Sequence, residues 1–240
     1  MEVRDGFIVG IFNYCDRWCE RCAFTSRCRV FADVAQIEAS LDPGLKEVVE
    51  APPLPQDVPP PPPTWMQEMI DEMNDAANGG MAAELPPPRP IPPEHRVIEA
   101  RADDYCTRAH AWLREHHDRG NDPGDPCAVI GWFHLQIAVK IHRAIRGLAE
   151  DDPDERDWPA DHDGSAKVAL LGIERSHAAW LDAVGRGVTS DSKAAPFVAD
   201  LVWLGEALER VFPKARAFVR PGFDEPDEVS SLLAREAGKG

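Results

Sequence analysis

The chain has 240 residues, with 42 Asp and Glu against 26 Lys and Arg and a net charge of -16 at pH 7. That balance opposes non-specific binding to nucleic acid, because phosphate contacts need a basic footprint. No run of about eighteen apolar residues predicts a membrane span, and Phe7 to Phe12, flanked by Glu2 and Asp5, is too short for a secretory leader, so the expected location is the cytoplasm.

The first informative segment is NYCDRWCERCAFTSRC, in which Cys15, Cys19, Cys22 and Cys28 follow the pattern C-x3-C-x2-C-x5-C. On a helix, Cys15, Cys19 and Cys22 fall at i, i+4 and i+7 and share one face. Cys28 returns after a short turn through Thr25 and Ser26. Four thiols so placed are expected to bind one centre, either a 4Fe-4S cluster or a zinc ion. The compact run favours the cluster, because zinc sites more often pair two C-x2-C knuckles across a longer loop. Cys15 and Cys19 on one helical turn are badly placed for a disulfide. Phe12, Tyr14, Trp18, Phe24 and Phe31 are expected to shield the site. Arg17, Arg21, Arg27 and Arg29 are expected to offset its negative charge.

Two partial resemblances attach to this segment. Cys15-Asp-Arg-Trp-Cys19-Glu-Arg-Cys22 is similar to the CxxxCxxC triad of radical S-adenosylmethionine enzymes. Those enzymes need a large α/β barrel, and this chain has a fourth cysteine and no βα repeat. Cys19-x2-Cys22-x5-Cys28 resembles the end of the iron–sulfur loop of helix-hairpin-helix DNA glycosylases, C-x6-C-x2-C-x5-C, although the first gap here is three residues. The likeness spans about a dozen residues and implies cluster-like spacing alone.

The rest of the chain divides by composition. Residues 1–45 form the four-cysteine module and 46–93 a Pro-rich linker. Fourteen of the 23 prolines lie between Ala51 and Pro93, so this stretch is expected to be extended polyproline II without a core. Within it, Thr64 to Asn78 predicts a short amphipathic helix on Trp65, Met66, Met69, Ile70 and Met73, stopped by Gly79-Gly80. It is either a docking element for a protein partner or a helix packed on its own body.

Residues 94–219 read as four amphipathic helices. The first covers Glu94 to Arg119, and the second starts at the cap Asp125 with Pro126 behind it. The third runs from about Ser165 to Val184 and the fourth from about Ala195 to Phe218. Strand signals are almost absent, so the expected class is all-α, an antiparallel four-helix bundle with the cysteine module and the linker attached. This body is expected to fold without the module, and residues 220–240 are expected to be a polar tail.

Chemistry inside the bundle is sparser. Glu174 and His177 form one Glu-x-x-His pair, the i, i+3 spacing of ferritin-like di-iron proteins, which need two such pairs and two further carboxylates. His134 lies near an apolar edge and is a further candidate ligand. Lys140, Lys167 and Glu174 flank apolar stripes and could line an anion site, or the lysines could snorkel at helix margins. Cys106 reads as a core thiol and Cys127 as incidental. Three functions follow: a redox or electron-transfer accessory or metal-stabilised adaptor with an iron–sulfur or zinc site, a bundle metalloenzyme using the cysteines as an electron port, or an interaction protein stapled by zinc.

Overall fold

The computed structural model describes residues 2–40, 88–116, 124–151 and 161–225, together with Thr64 and Asp71. The helix expected over Thr64 to Asn78 lies outside the described residues apart from Thr64 and Asp71. So do the first two proline runs and the chain beyond Glu225. Two compact units divide the chain. One joins Met1–Asp33 to Arg89–Gly240, and the other is Val34–Pro88.

The protein is mostly helical. Its N-terminus is a feature the sequence reading missed, a small antiparallel hairpin of β1 (Val3–Arg4) and β2 (Phe7–Ile8). Asp5 and Gly6 make the turn with φ of 52° and 84°. A two-residue Asp-Gly loop is a strong hairpin signal, because left-handed φ at both positions matches the twist of the strands. Short 3₁₀ turns follow at Ile11–Asn13, Cys19–Arg21 and Thr25–Arg27, then helix α1, Arg29–Ser40.

Among the described residues, four long helices form the body: α2 (Pro93–His116), α3 (Pro126–Glu150), α4 (Asp161–Gly185) and α5 (Asp191–Val211). Asp125 caps α3 as expected, accepting the Cys127 N–H at 3.0 Å. Helix α4 starts four residues before the expected Ser165, at Asp161. Helix α5 ends at Val211, well before Phe218. Pro213 has no N–H to continue it, and Phe212, immediately before that proline, leaves the helical region at φ -120° and ψ 69°.

The helices pack α2 on α3, α3 on α4, α4 on α5 and α5 on α2, with α3 on α4 the most extensive contact. They bury one core in which Tyr105, Ile130, Ile137, Ile141, Leu170, Trp180, Leu201 and Leu204 are fully enclosed. Each such side chain contributes about 1.5–3 kcal/mol relative to exposure. Trp180 stacks on Phe197 at 4.2 Å and donates its indole N–H to the Tyr105 hydroxyl at 3.3 Å.

One buried charge ties α2 to α5. Asp200 accepts from Arg101 Nε at 2.8 Å and from Arg108, whose Nε also reaches Asp104 at 2.7 Å. Asp200 is 7% exposed, so removing its carboxylate takes from Arg101 its carboxylate partner and leaves Arg108 with Asp104 alone. Because those arginines are about one-third exposed, Asp200→Ala is expected to cost about 2–3 kcal/mol, below the usual cost of breaking a fully buried pair. Denaturant unfolding of the variant measures it, and a change below about 0.5 kcal/mol would contradict this role.

Candidate four-thiolate site

Residues 15–22 do not form the helix that the sequence suggested. Asp16 accepts the Trp18 N–H on its side chain at 3.2 Å, a local bond that competes with helical pairing. Arg17 takes a left-handed φ of 55°, and only the turn Cys19–Arg21 follows. A non-glycine residue held there is strained, and such strain persists only where surrounding contacts enforce it.

The thiols nevertheless face one another. Cys15, Cys19, Cys22 and Cys28 line one small cavity with Ile11, Phe12, Trp18, Phe31 and Phe223. All four are half-buried and none is in a disulfide. Burial pushes the Cys15, Cys19 and Cys22 thiols up, and the neighbouring thiols push each further. Backbone hydrogen bonds oppose this at two of them: the Phe24 N–H donates to Cys22 Sγ at 3.4 Å, and Arg17 backbone acts on Cys15. Such N–H···S contacts stabilise thiolates and tune bound clusters. Among the described residues, no three His, Cys, Asp or Glu side chains stand in an arrangement that holds a single metal ion.

Three of the flanking arginines also make contacts of their own. Arg21 lies 3.6 Å over the Trp18 ring. Arg27 donates to the Gly6 carbonyl at 3.1 Å, tying the hairpin to the cysteine loop. Arg29 pairs with Asp33 at 2.7 Å.

Five contacts fasten the cysteine loop to the long helices. Lys140, 5% exposed, donates to the Asn13 carbonyl at 2.8 Å. The Trp132 indole N–H donates to the Asp16 carbonyl at 2.7 Å, and Trp18 stacks on Trp132 at 5.0 Å. Arg175 pairs with the Asp16 carboxylate. The Tyr14 hydroxyl donates to Asp161 at 2.9 Å. Burial and that bond push Tyr14 up to about 12.

A strap over 218–224 closes the other side. These residues fell at the edge of the expected polar tail, yet Phe218 packs on Tyr14 at 4.7 Å and Phe223 meets Phe24 edge-on at 5.2 Å. Gly222 has a left-handed φ of 79°, and a Cβ there would stand 3.1 Å from both Ile8 and Ile11. Lys167 anchors the strap, donating to the Phe218 carbonyl and pairing with Asp224 at 2.8 Å. Burial alone would raise the Asp224 carboxyl, but hydrogen bonds from Arg220 and Lys167 hold it well below the usual carboxylate range. A lowered carboxyl contributes stability above its unfolded value of about 3.9, and that stability is lost as pH falls through the lowered value. Melts at about pH 5 and about pH 2.5 are therefore expected to show an acid loss that Asp224→Asn reduces; an identical loss in the variant would remove Asp224 from this role.

The other candidates are not brought together. Glu174 is exposed and pairs with Arg216, which also holds Glu209 at 2.9 Å. His177 is half-buried on the same helix. His134 bonds to the Gly131 carbonyl at 2.7 Å, stacks on His110, and is pushed down by burial. Lys140, Lys167 and Glu174 therefore line no common anion site, because each has a separate partner. The two lone cysteines exchange their expected places: Cys127 is buried and Cys106 half-buried.

Comparison with family models, with curated proteins and with solved structures finds no match.

Proposed function

We propose that the chain is an iron–sulfur redox accessory, with Cys15, Cys19, Cys22 and Cys28 holding a 4Fe-4S cluster on a four-helix bundle. The observation that carries this reading is the convergence of four thiols, each raised or flanked by the others, on one cavity walled by aromatic and aliphatic groups. The compact C-x3-C-x2-C-x5-C run favours the cluster over zinc, because zinc sites more often pair two C-x2-C knuckles across a longer loop. When bound, the cluster supplies one-electron transfer. The chain's own residues hold it away from water, place N–H groups on Cys15 and Cys22, and anchor the loop through Asn13, Tyr14, Asp16 and Trp18. In an acidic chain, this function also calls for a protein partner rather than nucleic acid.

A zinc staple is the second reading, favoured by the number of contacts between the loop and the helices. One preparation separates the two. Protein made and purified without oxygen is expected to be brown, with absorbance near about 400 nm and about four iron and four sulfide per chain. Single Cys→Ser changes at the four positions are expected to remove most of the iron, and Cys106→Ser to leave it. Zinc in place of iron supports the staple, and full metal in any of the four variants removes that cysteine from the site. The bundle metalloenzyme has no second Glu-x-x-His pair to support it in the sequence, and Glu174 pairs with Arg216.

A further inference from the structure

Among the described residues, Lys140 is the one lysine or arginine that the fold buries, at 5% exposure. Its hydrogen bond goes to a neutral group, the Asn13 carbonyl, at 2.8 Å. The acids nearby are already held: Asp161 by Arg143 at 3.0 Å and by the Tyr14 hydroxyl, and Asp16 by Arg175. Lys167, by contrast, is paired with Asp224. Buried charges are ordinarily paired, because an ammonium taken out of water without an anionic partner is costly. A lysine so placed calls for an anion that faces it.

The thiol site supplies one. Trp132 and Lys140 stand about two turns apart on one side of α3 and hold the carbonyls of Asp16 and Asn13. Cys15 lies between those two anchors in the chain. The Cys15 thiol donates to the Phe12 carbonyl at 3.5 Å, so thiol and ammonium engage adjacent carbonyls of the same turn. Burial pushes the Lys140 ammonium down, and Arg143 and Arg17 push the same way, whereas the charged forms of Cys15 and Asp161 oppose them. Arg17 is exposed, so water and salt screen its charge, and Lys140 has no such screening.

We propose that Lys140 is the buried counter-charge of the four-thiolate centre and raises its reduction potential. The inference rests on the cluster reading and deepens it, by naming a residue that sets how readily the centre takes an electron. Reduction by one electron adds one negative charge to the centre, and net charge is among the properties that fix a cluster's potential. A fixed cation next to the Cys15 turn, where water does not reach, favours the reduced form over the oxidised one.

The test is a one-electron titration of the full chain, purified without oxygen, with dithionite as reductant and a dye of known potential as reference. Lys140→Met removes the charge, and at a fixed dye potential the reduced-to-oxidised ratio is expected to fall at least about threefold. Lys140→Arg keeps a cation and is expected to stay within about twofold of wild type. The sign separates charge from anchoring. A loop that merely loosened would admit water, which favours the more highly charged reduced centre and raises the ratio. The ratio is read on chains that carry cluster, so partial loss of iron does not hide it. A fall of less than about threefold in Lys140→Met, an equal fall in Lys140→Arg, or loss of all iron from both variants would overturn the proposal and leave the cluster reading standing. Colourless wild-type protein holding zinc would overturn the cluster reading and this proposal with it.

Discussion

The fragment Arg89–Gly240 is expected to melt at least about 6–12 °C below the full chain, with a broadened transition, and to bind hydrophobic dyes. That shift corresponds to about 3 kcal/mol for a domain of this size. The reason lies in what the cysteine loop covers. Without it, Trp132 loses both its stacking partner Trp18 and its acceptor on Asp16. Lys140, 5% exposed in the full chain, loses its acceptor, the Asn13 carbonyl, and with it the bond that ties its helix to the loop. Phe218 and Phe223 lose Tyr14 and Phe24. Ile8 and Ile11, 2% and 1% exposed, no longer cover Gly222. Circular dichroism and a thermal melt of the fragment beside the full chain decide the matter. An equally sharp melt at the same temperature would show that the helices carry their own core.

That expectation differs from the one drawn from composition, in which residues 94–219 fold without the module, because the contacts between loop and helices are long-range and composition does not carry them. Apolar periodicity located all four long helices, because each buries a stripe whose spacing is local. The cap at Asp125-Pro126 was readable for the same reason. The four cysteines were recognisable as a group because their spacing is improbable. Their backbone was not, since Asp16 and Arg17 break the helix by side-chain bonding and a left-handed φ that spacing does not encode. Lys140 looked like a margin lysine because its acceptor, Asn13, lies 127 residues away in sequence. The proline runs suggested separation, but prolines say nothing about where a chain returns. The strap over 218–224 did carry a signal: Phe218 and Phe223 bracket Pro221-Gly222, two aromatics about a glycine able to turn left-handed. Asp5-Gly6 carried another. Both were local, and both were overlooked beneath the polar character of the surrounding sequence.

Gly164→Ala is expected to detach the cysteine loop from the helices while leaving the body helical. Gly164 lies in the first turn of α4, where alanine would ordinarily help; the propensity gain for Gly→Ala in a helix is at most about 1 kcal/mol. A Cβ at this position, however, would stand 2.3 Å from Tyr14 Cε1, 2.6 Å from Tyr14 Cδ1 and 2.7 Å from Phe218 Cζ. Those are rigid ring atoms, not the ends of flexible chains. Overpacking of this kind costs about 1–3 kcal/mol, so the clash outweighs the propensity. Relief requires Tyr14 to leave, which breaks its bond to Asp161 and moves the residue next to Cys15. If the four thiols hold a cluster as proposed, the variant should therefore lose iron as well as stability. Gly185→Ala, at the other end of α4 with nothing within 4 Å of its Cβ, is the control and is expected to be neutral or slightly stabilising. The double variant Gly164→Ala with Tyr14→Leu should recover part of the stability but not the iron of the proposed cluster, since Leu relieves the contact with the Tyr14 ring, leaves that with Phe218 Cζ, and does not restore the hydroxyl that fixes the loop. Wild-type metal content in Gly164→Ala would mean that the loop finds a second seat, and that the packing of Tyr14 against Gly164 does not control the thiols.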